Sequence, residues 1–294
     1  MTDAPDMPSS AHDRIGLGVA LMAAAMLVIP VRDGLAKSLV AEMSVFAIAW
    51  GAYTAAAVIA LPIALARHGV MAVWPPGLRS QAARTVFLVS SMTTFFFSLR
   101  SIPLADAISA FFIGPFIAAA LAPVVLGEKV ERRVYVAVIA GFSGVLLVVR
   151  PSATVDLNVV WALSAGALFA AYILATRRVA TQTPPLATLS FQCLLGAVLL
   201  TPFALGDGLA APSAYSGLFL SIGAVQVLSH VMSITAFRYA AANVLSPLVY
   251  LEIVGATAIG YLAFGDWPTP MTWLGIFIIV AAGALVAARR APPD

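Results

Sequence analysis

The sequence predicts an all-α membrane protein of ten transmembrane helices, arranged as two inverted five-helix halves. Three observations predict it. The 294 residues are 62% hydrophobic and only 10% charged, with a mean hydropathy of +1.00. A soluble domain carries about 25% charge, so most side chains here have no water to face. Apolar runs of spanning length, about 17–25 residues, recur ten times: 15–37, 43–66, 82–100, 104–126, 133–149, 158–176, 186–204, 214–236, 244–264 and 271–288. The chain also resembles itself when slid by 138 residues, which lays Arg100 on Arg238, Gly127 on Gly265 and Glu128 on Asp266.

Taken in order, residues 1–13 are polar and lack the basic start and small-residue cleavage site of a signal peptide. They are expected to form a retained cytoplasmic tail. The ten runs follow with short connections, which favours antiparallel neighbours. With the amino terminus inside, twelve Lys and Arg fall on the cytoplasmic side, Arg84 among them, and four outside, Arg32 among them. The positive-inside rule then makes both termini cytoplasmic. A one-residue slip in the repeat lays Gly144 on Gly283 and Arg150 on Arg289, giving two halves, 14–150 and 151–290. Five spans is an odd number, so the second half enters from the opposite side and the repeats are inverted, a transporter design.

The net charge of +3 sits in loops, where it reads as topology and not as a nucleic-acid surface. The lone Cys193 excludes a disulfide framework and a cysteine metal site, and no metal or other cofactor is expected.

GEKVERRVYVAVIAGFSGVLLVVRP (127–151) and GDWPTPMTWLGIFIIVAAGALVAARR (265–290) resemble the closing segments of the two EamA-type halves of the drug/metabolite transporter superfamily. The Gly-Glu-Lys after the fourth span and the Gly-Asp after the ninth carry the match. The resemblance implies a ten-helix carrier of small metabolites in the bacterial inner membrane, most similar to amino-acid exporters of the YddG kind. It also implies a central cavity between spans 1, 3 and 4 and spans 6, 8 and 9.

The ninth span, NVLSPLVYLEIVGATAIGYLAF, holds Pro247 and a carboxylate, Glu252. Glu252 lies about 12 Å along a helix that starts near Val244, deep in the hydrocarbon, where charge is costly and marks a functional hypothesis. Ala256 and Gly260 share its face, so that face is expected to point into the bundle. Glu252 is either a coupling carboxylate, a partner for a substrate ammonium, or a structural acid bonded to a neighbouring helix. The fourth span is built alike, with Phe111, Gly114 and Pro115, and the repeat places Gly114 opposite Glu252. Each proline removes a backbone hydrogen bond, freeing a carbonyl near Phe111 and near Asn243. Those carbonyls either meet substrate or simply mark a kink.

In the eighth span Gln226 and His230 are four apart and share a face, suited to substrate hydrogen bonding, proton relay, or an inter-helix bond. The third span offers Ser91 and Thr94, which either line a cavity or bond their own helix backbone. Arg32, Asp33 and Lys37 close the first span and read as an outer-interface anchor or an outer gate. Trp50, Tyr53, Trp161 and Tyr172 read as interface belts or cavity walls.

Gly141-Phe142-Ser143-Gly144 has the form of an intramembrane serine protease motif, with His230 as a conceivable base. The fifth span should be peripheral, however, and close packing explains its glycines better.

The chain is therefore expected to be no enzyme, with no catalytic residue. It is expected to be a carrier that exports aromatic or neutral amino acids by alternating access. Import, or carriage of drugs or other metabolites, are the alternatives within the fold, and the protease is the alternative outside it. No nucleotide-binding loop is present, so transport is expected to be facilitated or ion-coupled. The expected partners are the solute and the bilayer, with no nucleic acid, in a monomer or homodimer.

Overall fold

The computed structural model describes residues 9–127, 132–149, 158–179, 183–206, 215–240 and 242–287. Among these every regular element is a helix. The elements are α1 (Ser9–Leu39), α2 (Val45–His68), α3 (Leu78–Ser98), α4 (Leu104–Phe111), α5 (Ile113–Leu126), α6 (Arg132–Val149), α7 (Asn158–Val179), α8 (Pro185–Gly206), α9 (Ser216–Ala236), α10 (Ala242–Leu245), α11 (Leu251–Phe264) and α12 (Pro270–Ala287). Short 3-10 turns cover Gly69–Ala72 and Ser246–Tyr250.

Seven helical segments are long and apolar enough to cross a membrane. The shorter apolar α6 and α12, and the more polar α3, bring the crossings to ten. At 18 residues each, α6 and α12 are about 27 Å long, close to the hydrocarbon thickness. A polar tail was expected over 1–13, yet α1 already begins at Ser9; residues 1–8 lie outside the described residues.

Local chemistry sets the ends. Ser44 accepts a hydrogen bond from the Ala47 N–H at 3.1 Å and starts α2. Gly127 (φ 68°) and Gly265 (φ 71°) end α5 and α11 in the left-handed region, which an L-residue would resist. These two glycines are 138 residues apart. Leu99 and Phe237, also 138 apart, cap α3 and α9 with the same backbone angles, φ −65° and ψ −13°. The repeat read from sequence is thus a repeat of backbone turns.

Packing pairs helices across the two halves. The principal partners are α3 with α7, α1 with α9, α2 with α8 and α6 with α12. The first two pairs are images of one another under the repeat, and the last two are each paired with their own image. The interhelical seams use small residues, as membrane bundles do. A Cβ at Gly144 would stand 2.9 Å from the Gly275 carbonyl oxygen, and one at Gly275 would stand 2.6 Å from the Gly144 oxygen.

The apparent protease motif is explained by this packing. Gly141 faces the Phe116 ring, while Ser143 is exposed and donates to the Ile139 carbonyl at 2.9 Å. Ser143 is on the periphery, as expected for the fifth span.

Both proline-broken spans are broken in the structure. The fourth is divided at Phe112 into α4 and α5. Pro115 cannot donate to the Phe111 carbonyl, and α7 closes over the gap. A Cβ on Gly166 would lie 2.6 Å from the Phe111 oxygen, and one on Gly114 would lie 2.6 Å from the Gly166 oxygen. The ninth span passes from α10 through the 3-10 turn to α11, with Pro247 at the start of that turn. There Gly255 packs against the Leu27 carbonyl and Pro30 of α1. The repeat pairs Gly166 with position 28, so the two closures are related.

Candidate functional site

A cavity of about 260 Å³ lies at the centre of the bundle. The helices expected around it all contribute, and two more join them: α2 through Ala52, Tyr53 and Ala56, and α8 through Leu189, Gln192 and Cys193. Its wall is largely aromatic. Phe111 sits 5.4 Å from Phe95 and 4.8 Å from Phe169, ring centre to ring centre, and Phe169 stacks on Tyr172 at 5.5 Å. Contacts at these spacings are favourable for offset and edge-to-face rings.

Polar groups interrupt this wall in two places. At the first, Arg32 of α1 donates to Asp33 Oδ1 from Nε at 2.8 Å and from Nη2 at 2.6 Å. Its Nη1 donates to the Gln226 side-chain oxygen of α9. Glu252 of α11 lines the same cavity and stands outside the Arg32–Asp33 ion pair. Two carboxylates and one guanidinium thus line one chamber. Such a group of charges at membrane depth is costly, which marks it as a functional candidate.

The second place is one turn further along α9, at His230. Gln192 of α8 and Tyr172 of α7 line the same cavity, and Arg84 of α3 contacts both of them from behind. Arg84 is 3% exposed, donates to the Gln192 side-chain oxygen, and lies 5.4 Å from the Tyr172 ring centre. Just beyond it, Gln81 donates to Thr183 at 3.0 Å and again ties α3 to the start of α8.

The far end of the bundle has a different closure. Lys37 reaches Asp266 at 2.9 Å and the Ile102 carbonyl at 3.1 Å, with its ammonium 4.9 Å from the Phe264 ring centre. One side chain of α1 thereby joins the α3–α4 turn to the segment after α11.

Of the residues singled out in the sequence, Glu252, Gln226, His230, Phe111 and Pro115 line the cavity together. Gly114 is a packing residue against Gly166 and does not line it. Ser91 donates to the Ala165 carbonyl at 2.7 Å and secures α3 to α7. Thr94 and Pro247 also lie off the cavity lining. Asn243 lies in α10, and its side chain falls outside the described residues. The carbonyl freed at Phe111 is covered by Gly166, so it meets protein and not a solute.

Three residues were placed differently by sequence reasoning. Arg32 and Asp33 were assigned to an outer interface, because the first span was expected to end at 37; α1 runs on to Leu39, Asp33 is 1% exposed, and both line the cavity. Arg84 was counted on the cytoplasmic side, near the expected start of the third span at 82. In fact α3 starts at Leu78, so Arg84 is a buried helix residue. A signal was present: Arg84, Leu88 and Met92 follow at spacing four, and the last two line the cavity. Tyr53 and Tyr172 prove to be cavity walls, while Trp161 is 44% exposed and stacks on Phe97.

Comparison with known proteins agrees with this architecture. The model of the EamA-like transporter family matches twice, over residues 16–150 and 157–288. Among curated relatives, the pseudopaline exporter CntI of Pseudomonas aeruginosa is 25% identical over 77% of this chain and 81% of its own length. The S-adenosylmethionine uptake transporter of Rickettsia prowazekii is 22% identical over 86% of each chain. The riboflavin transporter of Brucella anthropi is 25% identical over 80% of this chain and 85% of its own. A solved crystal structure superposes with a TM-score of 0.65 at 19% identity, over 93% of this chain and 99% of that one, a likeness of fold.

Proposed function

This chain belongs to the EamA-like transporter family, and from that premise we propose that it exports small amino acids with aromatic or other neutral side chains by alternating access. It is a multi-pass membrane transporter and not an enzyme. The observation that carries the finer reading is the cavity itself, an aromatic chamber interrupted by groups of both signs. An apolar body with a charged head fits such a lining, since few polar groups suffice to orient a ligand in an apolar pocket. Size supports the same class. Cavities for drug-sized ligands run from about 300 to 1,000 Å³, and about 260 Å³ suits something smaller.

In this reading Asp33, paired with Arg32, and the nearby Glu252 leave the cluster one negative charge in excess when all three are ionised, and it receives the ammonium. Lys37–Asp266 closes one end of the path and the α3–α8 contacts close the other. Proline-broken spans 4 and 9 supply the hinges. Export is supported by the relative named for pseudopaline export, and uptake is the second reading, favoured by the relative named for S-adenosylmethionine uptake. The same reading has the chain in a bacterial inner membrane with both termini on the cytoplasmic side. Setting aside the buried Arg84 and Arg32, the cation count is still eleven (12 − 1) against three (4 − 1).

The test is a proteoliposome screen across amino acids, with and without a pH gradient. Saturable flux of phenylalanine or leucine upholds the reading. Flux confined to cationic or flavin-like solutes sinks it.

A further inference from the structure

Arg84 is a guanidinium without a carboxylate. Among the described residues the ion pairs are Arg32–Asp33 and Lys37–Asp266, and neither involves it. Its acceptor is the Gln192 side-chain oxygen, a neutral group, and its Nε is buried without any hydrogen-bond partner. A buried charge is expensive unless it is paired and hydrogen-bonded. A fully buried arginine left half-satisfied is therefore poorly explained as a scaffold residue.

Its position points to a ligand. Gln192 and Tyr172 line the cavity, and Arg84 lies behind them, bonded to the first and over the ring of the second. Leu88, one turn along α3 on the same face, lines the cavity too. The Arg32–Asp33–Glu252 cluster is reached from here by one turn of α9, from His230 to Gln226, a rise of about 6 Å. One end of the cavity thus has a guanidinium behind its wall, and the other holds two carboxylates with Arg32.

We propose that Arg84 is the anion subsite of the carrier, receiving the carboxylate of the transported solute while the Arg32–Asp33–Glu252 cluster receives its cationic end. This rests on the reading of the cavity as a solute site. Gln192 acts as a placeholder. Its neutral oxygen holds the guanidinium when the subsite is empty, and a substrate carboxylate makes charge-assisted bonds roughly twice as strong in its place. Because Gln192 belongs to α8 and Arg84 to α3, the exchange releases one of the ties between those helices.

The experiment uses the purified full-length chain and thermal-shift titration with three matched probes: 3-phenylpropionate (carboxylate only), phenethylamine (ammonium only) and phenylalanine (both). Arg84→Gln is expected to weaken both carboxylate probes by about tenfold or more and phenethylamine far less. Gln192→Ala is expected to hold or tighten 3-phenylpropionate, because the guanidinium is freed for the probe. Equal loss of all three probes in Arg84→Gln overturns the proposal, as does loss of the carboxylates in Gln192→Ala, since both outcomes describe a structural tether. A wild type that binds neither carboxylate probe overturns it as well. Arg84-dependent binding of 3-phenylpropionate without amino-acid flux in liposomes upholds the subsite and sinks the amino-acid reading. Amino-acid flux indifferent to Arg84 does the reverse.

Discussion

Gly114 and Gly166 meet backbone to backbone where the fourth span is broken, and each leaves no room for a Cβ on the other. The carbonyl that Pro115 deprives of its donor is sealed by this contact. Gly166→Val drives a branched side chain into the Phe111 carbonyl and Ile113, both in the path of its Cβ. Overpacking of this kind costs about 1–3 kcal/mol or more. The expected result is a lowered Tm and lost flux, read by thermal unfolding and liposome uptake. A wild-type Tm with full flux would show that the seam is loose.

Arg32 is the ion-pair partner of Asp33, which is 1% exposed, so removing it leaves a carboxylate buried without compensation. Arg32→Gln is expected to destabilise the protein by about 3–5 kcal/mol, measured by thermal unfolding in detergent. The double change Arg32→Met with Asp33→Leu should recover much of that loss, because it removes charge on both sides. Failure of the double variant to recover would mean that the pair is needed for packing as well as for charge.

Glu252 is the carboxylate of the cluster outside the Arg32–Asp33 ion pair. Glu252→Gln keeps the shape and removes the titrating group. It is expected to abolish accumulation driven by a pH gradient and to preserve solute counterflow, both measured in liposomes. Intact pH-driven accumulation would remove Glu252 from any coupling role.

The chain carries a built-in reporter, since Cys193 is its one cysteine and lines the cavity. Maleimide labelling of Cys193 therefore reads access to the chamber without engineered residues. Lys37→Gln breaks a partly exposed ion pair worth about 0–1 kcal/mol, so Tm should barely move. Labelling by an impermeant maleimide from the Lys37 face is expected to rise several-fold. Unchanged labelling would mean that Lys37–Asp266 is not a closure.

Ser143→Ala should leave solute flux unaltered. Ser143 is exposed on α6 and hydrogen-bonded to its own helix. A peptidase activity abolished by this change would revive the protease reading that the fold disfavours.

Much of this fold was legible in the sequence because hydropathy is a local quantity. A run of apolar residues needs no partner to reveal that it crosses a membrane, and the Gly127/Gly265 register exposed the repeat. The inward face of the ninth span was also readable, since Ala256 and Gly260 left Glu252 nowhere else to point. What could not be read was which charges near span ends turn inward. Arg32 and Arg84 lie within five residues of an expected boundary, and a helix that runs two to four residues further carries such a group into the bundle. Gln192 gave no warning either, because its meaning depends on a residue 108 positions away. The aromatic wall was hidden for the same reason: rings from α3, α4 and α7 become one surface only after the helices pack.

The pairing of α2 with α8 and of α6 with α12, each helix against its own image, has a consequence for what one half could do alone. Such contacts are isologous, the kind that a two-fold dimer makes. A single five-helix half has no cavity wall of its own, because α3 needs α7 and α1 needs α9. A half-length version of this chain could rebuild that wall only by inserting in both orientations and pairing as an antiparallel homodimer. Such a pair would carry two identical sites, whereas here Glu252 lines the cavity and its image, Gly114, packs against Gly166.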